Sequence, residues 1–166
     1  MAHGRAWARV LSRRELAPLD DPHPASAAAR IDGVTWCSSI LPWRGCGSGH
    51  PWIEGRHGER THHAVHQLAS ALSPGPLVWG GDWNHAITGP EHAGSKEGRV
   101  HIAALVESRG LYVPTALLRH RIPGLLSIDH VAIPSAWSAS VRRIAAEADG
   151  ARLSDHDVYL VDAQRA

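Results

Sequence analysis

Asp82 and Asn84 follow an apolar run and two glycines in the stretch Leu77-Val78-Trp79-Gly80-Gly81-Asp82-Trp83-Asn84-His85. At a spacing of two, an extended backbone sends both side chains from one face. A charged acceptor and a neutral amide then arrive together at the carboxyl end of a strand, the edge where open sheets gather their chemistry. The glycines are expected to end the strand and to let the backbone turn or a ligand approach closely. Gly-Asp-x-Asn is also good turn chemistry, so this stretch alone leaves turn and site both open. Two later stretches add to it. Asp129 interrupts an otherwise apolar strand pattern over residues 127–133, and a buried acid is costly unless it is paired or working. Asp155 and His156 stand directly before another strand pattern, residues 157–161.

Taken in this order and at these intervals, Gly-Asp-x-Asn (81–84), Ile-Asp-His (128–130) and Ser-Asp-His (154–156) resemble the endonuclease/exonuclease/phosphatase superfamily. That is the fold of pancreatic-type deoxyribonuclease and of abasic-site endonucleases. Residues 9–13 resemble the family's "ILSR" strand. Residues 34–42 resemble the strand that ends in Tyr-x-Pro or a phosphate-contacting His, where this chain has Ile40. The resemblance implies a mixed α/β (α+β layered) domain, a DNase I-like β-sandwich flanked by helices. It implies a metal-dependent phosphoesterase that hydrolyses phosphodiesters or phosphomonoesters with Mg²⁺ or Mn²⁺. By the same resemblance Asp82 orients and deprotonates water, and Asn84 holds water or a phosphate oxygen. His156 contacts the phosphate while paired to Asp129, and Asp155 lies by the metal. The family's opening strand with its asparagine, and the strand with its metal-binding glutamate, have no counterpart; Glu15, the first glutamate, falls after residues 9–13. The expectation is one domain over residues 1–166, truncated at its N-terminus. The alternative is a catalytically weak or inactive domain that binds phosphorylated ligands or a partner.

The elements that must position these residues follow from periodicity. A strand is expected over residues 6–11 and a loop over 18–24, while 25–30 fits helix or strand. Residues 34–41 read as a strand stopped by Pro42. Residues 43–58, with five glycines, read as a long loop. There Trp43 and Arg44, with Trp52 and Arg56, could stack on or clamp a nucleotide, or simply pack the loop down. Ala64, Val65, Leu68, Ala69 and Leu72 share one face of a helix over 60–72, and Ile102, Leu105 and Val106 one face of another over 100–109. His62 and His66, at i and i+4, have a spacing that suits Zn²⁺, but no third ligand is evident and a solvated flank is expected. A short strand is expected at 111–113, strands at 125–133 and 157–161, and a helical turn at 142–148. The order reads as a layered α/β domain.

Composition sets the outer bounds. A chain of 166 residues, 43% hydrophobic and 20% charged, suits one globular domain. The net charge of +1 gives no strong field to recruit a polyanion, although thirteen histidines add charge in acid. Cys37 and Cys46 give no disulfide framework. No apolar run approaches a membrane span and no leader is legible at the N-terminus, so a cytoplasmic protein acting on a phosphoester, possible nucleic acid included, is the expectation.

Overall fold

A computed structural model gives the fold of residues 6–165. Residues 1–5, part of the stretch read above for a leader, and Ala166 lie outside the described residues. The strands are β1 (Ala17–Pro18), β2 (Ser26–Ile31), β3 (Val34–Ser39), β4 (Leu77–Asp82), β5 (Leu111–Tyr112), β6 (Asp129–Pro134), β7 (Ser138–Ile144), β8 (Glu147–Ala148), β9 (Ala151–Arg152) and β10 (Val158–Gln164). The helices are α1 (His57–Ala71) and α2 (Lys96–Ser108), with a 3₁₀ turn at Pro114–Leu117.

Six strands form one sheet in the order β1-β2-β3-β4-β6-β5. Neighbours run antiparallel except β3 and β4, which are parallel because α1 carries the chain back between them. Alternation along β4 divides the core. Leu77 and Trp79 face α1 and α2, where Ala64, Val65, Leu68, Ile102 and Leu105 cover them. Val78 faces the other way, with Val34 and Ile133, toward Trp137 and Ala139 of the β7–β10 hairpin. The molecule is thus helices, sheet and hairpin in three layers, as a β-sandwich flanked by helices requires.

Several sequence expectations are corrected. Residues 6–11 form no strand. The chain there runs unpaired beside a groove of about 550 Å³ in which residues 10–14 meet Trp36, Trp137 and Val161. A strand needs a partner ladder, and this segment has none. Pro18, expected in a loop, closes the short edge strand β1. The expected helical turn at 142–148 is instead the end of β7, followed by β8, because β10 pairs with every residue from Ser138 to Ile144. Gly80 and Gly81 do not end β4, which runs on through Asp82. Both helices start earlier than their apolar stripes, α1 where the Glu59 carboxylate accepts from Arg56 N–H and α2 through the Ser95 hydroxyl, which accepts from Gly98 N–H.

Candidate active site

Asp82 is the last residue of β4 and Asp129 the first of β6, and the antiparallel register sets them directly opposite each other. Two backbone bonds secure this corner: Leu41 N–H donates to Asp82 O, and Trp83 N–H to Ile128 O, both at 2.9 Å. Just before β10, His156 reaches back from the hairpin. Its Nδ1–H donates to Asp129 Oδ1 at 2.9 Å and Oδ2 at 3.0 Å, and its Nε2 lies 3.9 Å from Asp82 Oδ2. One ligand atom from each of Asp82, Asp129 and His156 falls within 4.8 Å of the others, a convergence unmatched by any other group of His, Cys, Asp or Glu among the described residues.

The electrostatics separate the roles. Burial, reinforced by the Asp129 charge, raises the Asp82 carboxyl to a pKa of about 6, against the pull of His156 and the Asn84 N–H. The hydrogen bond to Asp129, followed by the charges of Asp129, Asp82 and Asp155, raises His156 to about 9 despite its partial burial. At neutral pH the site therefore holds a relatively basic carboxylate beside an imidazolium.

Asn84 departs from the extended geometry expected of it. Its φ is 54°, and a left-handed backbone suits Asn better than most residues. Its N–H donates to Asp82 Oδ1 at 3.0 Å, its side-chain amide donates to Leu41 O at 3.0 Å, and the residue is buried. It braces Asp82 rather than projecting in parallel with it. Asp155 is exposed and stands outside the trio of converging side chains. Trp43 and Arg44 are not brought to the trio either. The Trp43 ring packs edge-on to Trp52, centroids 6.5 Å apart, while Arg44 Nε–H donates to Gly94 O at 2.6 Å and ties two loops together.

Two buried histidines behind the site were given no role from the sequence, although His130 closes the Ile-Asp-His motif. His130 Nε2 donates to His85 O at 3.0 Å, and its Nδ1 meets Thr115 Oγ1 at 3.2 Å. His85 Nδ1 donates to Trp83 O at 2.7 Å. Burial lowers both to a pKa of about 4, so they are neutral struts that pin the loop after β4 onto β6. Their only sequence signal was adjacency, His85 after Asn84 and His130 after Asp129. Beside the trio, Arg119, His120, Arg121 and Arg143 line an open cleft of about 540 Å³, and Arg121 also borders a smaller one with Asp155 and Arg152.

No family model and no curated protein matches the sequence. Solved structures do resemble it. An AP endonuclease from Archaeoglobus fulgidus superposes with a TM-score of 0.58 at 16% identity, covering 92% of this chain and 70% of that one. The endonuclease domain of TRAS1, a telomere-specific non-LTR retrotransposon, superposes with a TM-score of 0.54 at 14% identity, covering 89% and 68%. At these identities the likeness is one of backbone architecture, and that architecture, a mixed sheet with flanking helices and a second layer of strands, is the DNase I-like fold.

Proposed function

We propose that this chain is a metal-dependent phosphodiesterase whose substrate is nucleic acid. The observation that carries the reading is the convergence of Asp82, Asp129 and His156 at one sheet edge. The nuclease character of both structural neighbours supports it.

Phosphodiester hydrolysis needs an activated water and neutralised phosphate oxygens. Asp82, braced by Asn84 and made more basic by burial, orients the water and takes its proton. His156 is held as a cation by Asp129, which fixes the ring and leaves Nε2–H to donate to a non-bridging oxygen. Arg121, at the border of two clefts, supplies further positive charge to the phosphate chain, and Asp155 deepens the field that keeps His156 protonated.

The donor set fits a hard divalent ion. The imidazolium is no ligand, so Asp82 and Asp129 would hold Mg²⁺ or Mn²⁺ through carboxylate oxygens, with water completing the shell. When bound, the ion supplies Lewis-acid stabilisation of charge developing on the phosphate. Both Asp129 oxygens already accept from His156, and no glutamate joins the group among the described residues, so metal retention is weak.

The test is cleavage of nicked and abasic DNA and of a generic phosphodiester across a magnesium titration, with Asp82→Ala as control. Expected is magnesium-dependent cleavage that falls by about 100-fold or more in Asp82→Ala, the usual contribution of a general base. Turnover unchanged by that substitution would remove the mechanism.

A further inference from the structure

Away from the trio, α1 and α2 lie side by side, and His62 on α1 has an imidazole neighbour on its own helix and another across the seam on α2. His62 and His66 are four residues apart on α1 and so rise from one face, both exposed. The sequence offered no third ligand, but packing supplies one: His101 of α2 comes up beside His62, ring centroids 4.5 Å apart. The His62 and His66 centroids are 6.1 Å apart. Two imidazoles on one tetrahedral zinc, with Zn–N near 2.0–2.1 Å, have centroids about 5 Å apart, so the two observed spacings bracket that of a shared ion. The ring nitrogens do not yet converge as those of the trio do, so the surface rings of His62 and His66 turn about their side-chain torsions to close on the ion.

The row continues on both helices. Glu97 precedes His101 by one turn on α2, and Gly58 precedes His62 by one turn on α1. Glu97 lies over Gly58, where a Cβ would meet its Oε2 at 2.3 Å. Positions 58 and 62 thus face positions 97 and 101, and an oxygen donor stands one helical turn from His101 and over the turn that precedes His62. Burial, and then the neighbouring His62, lower the pKa of His101, which keeps that ring neutral and its lone pair free at pH 7. As a purely solvated flank the cluster gains nothing from setting like charges together in acid.

We propose that His62, His66 and His101, with Glu97 at hand, form a second metal site, distinct from the trio, for Zn²⁺ or a chemically similar ion such as Ni²⁺ or Cu²⁺. Imidazole selects these ions, whereas the carboxylates of the trio suit Mg²⁺ or Mn²⁺. The ion clips α1 to α2, the two helices that cover one face of the sheet.

Untagged full-length protein, stripped with a chelator and then held in excess Mg²⁺, is titrated with Zn²⁺ by calorimetry and assayed for bound metal. Expected is one zinc per chain that Mg²⁺ does not displace, retained in Asp82→Ala and lost in His62→Gln and in His101→Gln. Zinc should raise the thermal midpoint of the wild type and leave those of the two Gln variants unmoved. Matching midpoints in chelator show that both variants fold, and His66→Gln, at an exposed position, serves if either does not. Co²⁺ in place of zinc should give the visible bands of a tetrahedral site. Zinc stoichiometry unchanged in His101→Gln, or no zinc held by the stripped wild type, overturns the proposal.

Discussion

At the scale of single residues, the site turns on two opposed shifts. His156 binds its proton more tightly folded than unfolded, with its pKa raised from 6.5 to about 9. Its pair with Asp129 therefore favours the fold fully below about pH 6.5, and that contribution is lost as pH rises through about 9. In metal-free buffer, the stability gap between wild type and His156→Asn should be largest near pH 6 and gone above about pH 10. Asp82 also holds its proton more tightly when folded, from 3.8 to about 6, so its ionisation removes stability as pH rises through that window. If Asp82 works as an anion and His156 as a cation, the rate has a plateau between limbs near 6 and 9, the acid limb moving down as metal binds. Asp129→Asn should draw the basic limb toward the ordinary histidine range near 6.5; an unmoved limb would show that this pair does not set it. The Asp129–His156 contact was legible from an acid lodged in an apolar strand ahead of a histidine. The struts His85 and His130 were not, because a buried histidine and an exposed one look alike until the second strand is in place.

At the scale of elements, the corner after β4 depends on backbone freedom. Gly81 has φ of 133°, and a Cβ there would meet Ser39 O at 2.1 Å and Ser39 N at 2.9 Å. Gly81→Ala should cost about 3 kcal/mol in urea unfolding, from left-handed strain plus displacement of β3. Gly80→Ala, whose Cβ would lie 3.2 Å from His130 O, should cost clearly less. Equal losses would mean that conformation at Gly81 is not the constraint. The need for glycine here was visible in the sequence, although the strand continues through it. The helices were legible because Ala64, Val65, Leu68, Ile102 and Leu105 keep a 3.6-residue period, and their starts were not, because capping outruns the apolar stripe. β7 was misread because Val141-Arg142-Arg143-Ile144 has no strand signature until β10 lies beside it.

At the scale of the molecule, the catalytic groups are divided between two bodies. Asp82 and Asp129 belong to the six-stranded sheet, and His156 arrives from the two-stranded hairpin. The hairpin strands alternate between half-buried and exposed residues and leave Ile144, Val158 and Leu160 in solvent, whereas Trp79, Ala132 and Ile133 are buried. Hydrogen exchange should therefore be slowest at residues 78–79 and 131–133 and measurably faster at 141–143 and 159–161. Uniform protection across both would mean that the two layers open together. That a sandwich was coming could be read from three motifs in order. The interleaving that places β6 beside β4 could not, since it rests on contacts between residues about fifty apart, such as Trp79 and Ala132.

Trp79 and Trp83 stack with ring centroids 4.0 Å apart and planes inclined by 30°, flanking the segment that carries Asp82. Two indoles so close and so turned share their excited states, and circular dichroism registers such a pair as adjoining bands of opposite sign. Both rings are fully shielded from solvent, so bulk conditions do not blur the signal. The chain thereby contains an optical gauge wired to its own reactive corner. Any ion or anion that shifts the backbone at Asp82 alters the angle between the rings, and it does so whether or not a bond is ever cut.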